Sequence, residues 1–121
     1  MAKGRTELRH PLSLPVVHIL LALAEGPRHG YAIKQEVDER SGGAVRLGPG
    51  TLYEAIQRLE DAGYIEEPSV SPEAINGQLA QRRYYQLTRR GWSVLRTEVQ
   101  HLSRIVDLAR SCPRLRLSDL S

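Results

Sequence analysis

The sequence predicts a mainly α-helical domain with one small β-hairpin and a long final helix. Three segments carry apolar residues at helical spacing, and a glycine or proline break follows each of them. Two short segments of strand character, at 64–67 and 82–87, flank a turn-rich stretch containing Asn76-Gly77, the strongest hairpin signal in the chain. From residue 88 onward, apolar side chains recur at alternating steps of four and three, as in the seam of a coiled coil.

Length and composition indicate a single domain without membrane contact. The chain has 121 residues, of which 40% are hydrophobic and 26% charged, and these values are ordinary for a globular protein. Its longest apolar run, Val16 to Ala24, is short of the roughly 20 residues that a membrane-spanning helix needs. The first residues resemble no secretory leader, and the single cysteine, Cys112, cannot form an internal disulfide. We therefore expect a cytoplasmic protein.

The first two helices are bounded by clear start and stop signals. Ser13 can cap the first helix, and Glu25-Gly26-Pro27 ends it. Because this helix is apolar nearly all round, it is expected to be buried or to lie at a subunit interface. A second helix is predicted over 29–40, where Ser41-Gly42-Gly43 follows it. Residues 44–47 are predicted to form one brief strand.

The central element is a third helix predicted over 49–62. Pro49 suits its first turn, and Gly63 suits the left-handed position just past its end. Its apolar face consists of Leu52, Ala55, Ile56, Leu59 and Ala62. The side chains left on the other faces are Thr51, Tyr53, Glu54, Gln57, Arg58 and Asp61. A helix that buries one face and offers such polar groups on the other is a candidate recognition helix.

The order of elements is that of a winged helix-turn-helix followed by a long helix. In that plan the third helix enters the major groove of DNA, and the hairpin, called the wing, lies against the neighbouring backbone or minor groove. The predicted organisation is a flexible basic tail at 1–12, a DNA-binding domain at 13–87, a dimerisation helix at 88–110 and a flexible tail at 111–121. The net charge of +3 is mild, but the arginines between 82 and 96 have no acid among them.

Four sequence blocks resemble the PadR-type transcriptional regulators. They are His29-Gly30-Tyr31-Ala32-Ile33, Gly48-Pro49-Gly50-Thr51-Leu52-Tyr53, Arg58-Leu59-Glu60 with Gly63 and Ile65, and Arg83-Tyr84-Tyr85-Gln86-Leu87-Thr88 with Gly91. They follow the family's order and spacing over roughly residues 12–108. The resemblance implies a DNA-binding repressor, usually a homodimer built through the carboxy-terminal helix, and many members release DNA when a small molecule arrives. The single carboxy-terminal helix resembles the compact subgroup.

Two features depart from the family pattern. The family usually has proline directly after the tyrosine of the third helix, where this chain has Glu54. A carboxylate there would repel phosphates, so Glu54 accepts from a cytosine amine, pairs with Arg58 or points away. The wing is also long, with 71–77 in place of a short basic tip.

The third helix supplies four candidates for contact with double-stranded DNA. The hydroxyls of Thr51 and Tyr53 can bind phosphate near the helix start, where backbone N–H groups also favour an anion. Gln57 suits adenine and Arg58 suits guanine, each through a bidentate contact. The alternatives are that Arg58 closes a pair with Glu54 and that Tyr53 packs beneath the wing.

The wing and the second helix supply the other DNA-binding candidates. Strand alternation sends Arg82 and Arg83 to opposite faces, so that one can face DNA while the other pairs with an acid at 66–67. Gln81 flanks the same strand, and Lys34 on the second helix can reach phosphate.

The long helix predicts self-association. Its seam consists of Leu95, Val99, Leu102, Val106 and Ala109. Trp92, early in the same helix, either packs the wing onto the domain or lines a pocket for a small-molecule effector. Of the residues near the second helix, Gly30 is expected to allow a close approach, and Tyr31 is expected in the core.

The sequence predicts neither an enzyme nor a cofactor. Its histidines have no metal-ligand spacing and no acidic or cysteine partners, so no metal site is expected. No nucleophile motif and no glycine-rich phosphate loop is present. We expect a homodimeric repressor that binds an inverted repeat.

Two other functions fit the same residues. One is a ligand-responsive sensor whose DNA binding is released by a small molecule in the dimer cleft. The other is a winged-helix protein–protein adaptor, which the acids Glu54, Glu60 and Asp61 favour.

Overall fold

A computed structural model of the chain describes residues 10–69 and 83–115. Within these two ranges lie four helices and three short strands. In chain order they are α1 (Leu14–Leu23), β1 (Arg28–His29), α2 (Gly30–Arg40), α3 (Pro49–Asp61), β2 (Ile65–Glu66), β3 (Tyr84–Leu87) and α4 (Arg89–Arg110). The predicted fold class, mainly helical with a small antiparallel sheet and a long final helix, is confirmed.

The helices begin where their capping residues predict. The Ser13 hydroxyl accepts from the N–H of Val16 at 3.4 Å, and the Thr88 hydroxyl accepts from the N–H of Gly91 at 2.9 Å. Helix α3 starts at Pro49 and gives way to Gly63, which has a φ of 81°. That positive φ is the left-handed conformation in which a glycine ends a helix without a steric penalty.

The sheet has β3 at its centre and differs from the predicted hairpin by one strand. Strand β3 pairs antiparallel with β2 on one side, where Ile65 faces Leu87, and with β1 on the other, where Arg28 faces Tyr85. The third strand is therefore β1, directly before α2. The wing tip, including Asn76-Gly77, lies outside the described residues.

The prediction of a strand at 44–47 is wrong. The side chain of Ser41 takes the backbone groups that a strand would offer to a neighbour. Its hydroxyl oxygen accepts from the N–H of Val45 at 2.9 Å and lies 3.3 Å from the carbonyl of Val45. A local serine bond of this kind competes with sheet pairing, so the segment stays irregular. Leu47 anchors it by its burial in the core.

The core lies between the first three helices, the sheet and the first turns of α4. Its fully buried members are Ile19, Leu20, Leu23, Ile33, Val37, Leu52 and Leu59. Tyr31, expected in the core, is instead 59% exposed. The buried face of α2 is set by Ile33 and Val37, and a residue two positions before Ile33 points to the opposite side of a helix.

The ordered domain begins before Ser13, inside the predicted flexible tail of 1–12. Leu12 is buried, and its N–H donates to Glu98 Oε1 at 3.1 Å. Glu98 Oε2 lies 3.3 Å from His10 Nδ1. Glu98 is only 4% exposed and is the one buried charged side chain in the described part of the chain. The expectation that no histidine has an acidic partner is therefore wrong for His10, because the partner is 88 residues away in sequence.

Replacing Glu98 by alanine is expected to lower the free energy of unfolding by about 1–3 kcal/mol, because the buried N–H of Leu12 loses its acceptor. Glu98→Gln keeps one carbonyl oxygen and is expected to lose less. Urea denaturation at fixed protein concentration measures both. The control is Gln100→Ala, an exposed position on the same helix. Equal midpoints for Glu98→Ala and the control would show that this tether adds no stability.

Candidate nucleic-acid interface

The amino-terminal end of α3 is open to solvent. Gly48 occupies the cap position in an extended conformation and provides no side-chain hydrogen bond, and Pro49 has no N–H. The first main-chain bond of the helix runs from the N–H of Leu52 to the carbonyl of Gly48 at 2.9 Å. The N–H groups of Gly50 and Thr51, which precede it, point out of the helix start. Such an end attracts an anion, because the N–H groups and the helix dipole both favour negative charge.

The two faces of α3 divide as its periodicity predicts. Leu52, Ile56 and Leu59 are buried against the rest of the domain. The exposed side chains are Thr51, Tyr53, Glu54, Gln57 and Arg58. The structure thus brings the four candidates from this helix to one solvent-facing surface, together with the unexpected acid Glu54.

Tyr53 packs against the second helix. Its ring lies against the start of α2, where a Cβ placed on Gly30 would be 2.8 Å from Tyr53 Oη and 3.1 Å from Cε1 and Cζ. The expectation that Gly30 allows a close approach is confirmed, and Tyr53 is the approaching group. The tyrosine as a whole remains 53% exposed.

The polar side chains later in α3 differ in how far they are already engaged. The amide of Gln57 donates to Asp61 Oδ1 at 3.1 Å. Glu54 and Arg58 form no ion pair with each other, and neither has a salt-bridge partner among residues 10–69 and 83–115. The proposed pairing of Glu54 with Arg58 is therefore absent, and the Arg58 guanidinium stays available.

Helix α2 adds two polar groups beside this surface. Tyr31 is exposed, and its hydroxyl accepts from Gln35 Nε2 at 3.4 Å. Lys34 is half-buried. Sequence analysis missed Tyr31 as a surface residue, although its spacing from Ile33 and Val37 contains the signal.

The base of the wing carries an ion pair. Arg83 Nε lies 3.6 Å from Glu67 Oε2, which is the pairing with an acid across the ribbon that strand alternation allows. Alongside it, Gln86 Nε2 donates to Glu66 Oε2 at 3.1 Å. Arg83 is exposed, so it both neutralises Glu67 and remains open to solvent. Gln81 and Arg82 lie outside the described residues.

The charges of Glu67 and Arg83 reach α3. Partial burial raises the pKa of Glu60, the charges of Glu67 and Asp61 raise it further, and Arg83 opposes them. Burial also raises the pKa of Tyr85, and the negative charge of Glu60 adds to that increase. The ionised form of Glu60 is therefore disfavoured at its position on α3 facing the base of the wing.

His29 joins the sheet to the start of α2. Its ring accepts from the N–H of Ala32 at 3.2 Å and so caps the helix. The same ring stacks edge to face on Tyr84 of β3, with 5.4 Å between the centroids. The His29 side chain thus adds to the backbone pairing of β1 with β3 in holding the wing strand to the second helix, which explains the structural value of the His29-Gly30-Tyr31 block.

The predicted seam of α4 is split between the protomer's own core and its surface. Leu95 is 5% exposed and belongs to the core, and Leu102 packs against it. Ala109 is half-buried, whereas Val99 and Val106 are exposed. Leu95 is therefore unavailable to a second chain. The reason is the position of Gly91 one turn earlier, where an added Cβ would overlap the carbonyl oxygen of Tyr64.

Trp92 lies at the edge of an open cavity within one chain. It is 42% exposed. The cavity has a volume of about 280 Å³ and is lined by Leu23, Ala24, Glu25, Gly26, Pro27, Gln86, Leu87 and Trp92. Within the described ranges no group of metal-ligating side chains can hold an ion, and no helix there has the length and apolar character to cross a bilayer.

These elements define a winged helix-turn-helix protein with an appended long helix. The sequence profile of the family described as "Transcriptional regulator PadR-like family" matches residues 19–97. The chain belongs to this PadR-like family of transcriptional regulators, and the resemblance of the four sequence blocks is confirmed.

Individual relatives agree with this assignment. A PadR family transcription regulator from Clostridium difficile R20291 is 28% identical, with a TM-score of 0.67 over 82% of this chain and 97% of that one. RosR from H. salinarum is 26% identical, with a TM-score of 0.61 over 78% of each chain. An uncharacterised 37.1 kDa protein in transposon TN4556 of Streptomyces fradiae is 39% identical over 72% of this chain, which spans only 22% of that protein's length.

Replacing Glu60 by glutamine is expected to raise the unfolding temperature at pH 7. An acid whose pKa is raised on folding destabilises the fold when ionised, so this cost is present above its raised pKa and disappears as pH falls through it. The gain from Glu60→Gln should therefore shrink toward about pH 4, where an ordinary glutamate is itself largely protonated. Differential scanning calorimetry at both pH values measures it. Glu54→Gln, at an exposed position on the same helix, is the control, and an equal gain there would contradict the assignment.

Proposed function

We propose that this protein is a sequence-specific double-stranded DNA-binding regulator of transcription, a homodimeric repressor acting on an inverted repeat in the cytoplasm. One observation supports it above the others. Helix α3 buries its apolar face and presents an uncapped amino-terminal end with Thr51, Tyr53, Gln57 and Arg58 on its exposed side. The family membership points to the same function.

Phosphate contacts are assigned to the start of α3. The free N–H groups there, with the hydroxyls of Thr51 and Tyr53, suit a single backbone phosphate. Lys34, Tyr31 and Gln35 on α2 extend the same surface toward a neighbouring phosphate. Such contacts fix the register of the protein on the duplex and make its affinity fall steeply with salt.

Base reading is assigned to Gln57 and Arg58. Arg58 has no ion pair to break in the described structure, so it can turn to the O6 and N7 atoms of a guanine. Gln57 must exchange its bond to Asp61 for a bond to adenine, and this exchange reduces the net gain. Glu54 repels a nearby phosphate and can accept from a cytosine amine, so it would disfavour binding to sites that lack cytosine at that position.

The wing contributes charge from its base and from residues beyond it. Arg83 offers a guanidinium that Glu67 partly neutralises. Because Arg83 pairs with Glu67, we assign the stronger wing contacts to the other two candidates from the sequence, Arg82 and Gln81.

The apolar surface left on α4 and α1 supports a homodimer. The exposed aliphatic side chains on α4 are Val99, Ile105, Val106 and Leu108, and those on α1 are Leu14 and Leu21. Large exposed apolar patches mark interaction sites, and a second copy of α4 is the self-complementary partner that a two-fold axis provides. Two copies of α3 would then read half-sites about one helical turn apart.

Selection of duplexes from a random pool should enrich an inverted repeat, with half-sites about 10 base pairs apart. Gln57→Ala is expected to lose the preference at one base pair in each half-site, and Arg58→Ala at another, each costing about 1–3 kcal/mol of discrimination. Lys34→Ala should lower the affinity for all DNA sequences by the same factor. Failure to enrich any sequence would reject sequence-specific binding, and an unchanged preference would remove the substituted residue from the reading face.

Val106→Glu is expected to give a monomer, because a charge would be buried without a partner in the apolar interface. Light scattering measures the mass. Ser103→Glu, on the same helix, adds the same charge at an exposed polar position and should leave a dimer. A dimer of Val106→Glu would place the interface elsewhere.

Control by a small-molecule effector is a second candidate function. The half-exposed indole of Trp92 beside an open cavity of about 280 Å³ favours it. The cavity is lined by residues of α1 and β3 of the same chain, so an effector there would act through the contact between the wing strand and α1. A role as a protein–protein adaptor is favoured only by the exposed acid Glu54.

A further inference from the structure

Gly30, at the start of α2, lies against Tyr53 on the exposed side of α3. Gly30 is the first residue of α2 and is buried. The distance of 2.8 Å from its would-be Cβ to Tyr53 Oη is shorter than real Cβ contacts. Gly30 is not among the glycines with positive φ, so its backbone does not require glycine. Space for the tyrosine is therefore what glycine supplies at this position.

We propose that Gly30 is a positioning residue for DNA recognition, which holds the Tyr53 hydroxyl at the junction of α2 and α3 by leaving room for its ring. This inference rests on the proposed function. An exposed tyrosine on a helix surface has several rotamers, and ordering it on binding costs affinity. A ring that already lies against α2 is restricted in the free protein, so little conformational entropy is lost when its hydroxyl binds a phosphate.

The Tyr53 hydroxyl belongs to α3 but lies beside α2, so one phosphate bound there would be in reach of both helices. The tyrosine side chain starts from α3 and ends beside the first turn of α2, where the His29 side chain already accepts from the N–H of Ala32. A phosphate bound by Tyr53 therefore fixes both helices of the helix-turn-helix against the duplex. A methyl group at position 30 would displace the hydroxyl and release this coupling.

The chemistry of the site separates positioning from stability. Alanine is the better helix former, so glycine gives no advantage in helix propensity at this position. The atom that the new methyl meets is the far end of a side chain that is half in solvent, so it can swing away. Gly30→Ala should therefore fold at least as well as the wild-type protein while holding Tyr53 in the wrong place.

The test is a double-mutant cycle on the selected duplex. Gly30→Ala and Tyr53→Phe are each expected to weaken binding about three- to tenfold, the worth of one hydrogen bond. The double variant should bind no more weakly than either single variant, because both remove the same contact. The unfolding temperature is measured in parallel and should not be lower for Gly30→Ala than for the wild-type protein. The matched control is Tyr31→Phe, which removes a hydroxyl that accepts from Gln35 rather than one that lies against Gly30, and it should combine additively with Gly30→Ala.

Several outcomes would overturn the proposal. Gly30→Ala with wild-type affinity would show that the hydroxyl needs no positioning, and full additivity with Tyr53→Phe would show that Gly30 acts elsewhere. Should Gly30→Ala unfold at a lower temperature, Tyr53→Ala is compared with Gly30→Ala/Tyr53→Ala, in which no ring opposes the methyl. Equal affinities there support positioning, and a weaker double variant rejects it.

Failure of the proposed function is visible separately, as absence of duplex binding by the wild-type protein. The position of the ring is then measured in the free protein by nuclear Overhauser contacts between Tyr53 and residue 30. Loss of those contacts in Gly30→Ala supports the positioning role. A ring that stays in place in the variant overturns it.

Discussion

The junction of Thr88 and Gly91 with the chain that leaves α3 is the constraint on which the arrangement depends. The N–H of Thr88 donates to the carbonyl of Tyr64 at 3.0 Å, and its hydroxyl donates to the carbonyl of Gly63 at 2.6 Å. The same hydroxyl accepts from the N–H of Gly91 at 2.9 Å and so starts α4. Gly91 lies so close to Tyr64 that no side chain fits between them. The end of the recognition-helix candidate, the first wing strand and the start of the long helix therefore meet at one point.

This junction has a direct functional meaning on the proposed dimer. The orientation of α3 relative to α4 is fixed within the protomer by the hydrogen bonds of the Thr88 N–H and hydroxyl to the main chain that follows α3. The packing of α4 against a second copy would therefore set the separation of the two copies of α3, and a change in that packing would be transmitted to the DNA-facing surface. The buried Leu95 reinforces this, because it commits the first turns of α4 to the protomer's own core.

The local signals in the sequence predicted most of the fold and part of the candidate site. Ser13, Pro49, Gly63 and Thr88 mark helix ends by their own chemistry, and the periodicity of α3 separates its buried face from its exposed one. The errors involve contacts between distant segments. Strand β1 is two residues long and has no alternation to reveal it, since it exists only because β3 offers an edge. Ser41 prevents a strand by a bond that hydropathy does not register. Glu98 is buried because Leu12, 86 residues earlier, needs an acceptor.

The free end of α4 extends beyond the last residue that packs on the protomer. Among the residues that the structure describes, Leu102 is the final apolar residue of the helix that packs against the core, and the helix continues to Arg110, which is about 12 Å further at 1.5 Å per residue. A projecting helix of two turns has little stability in water by itself. In the proposed dimer, the last two turns of α4 would become stable only when two chains associate. The regulator would then respond to its own abundance, with a threshold copy number below which operator occupancy falls faster than in proportion to the amount of protein.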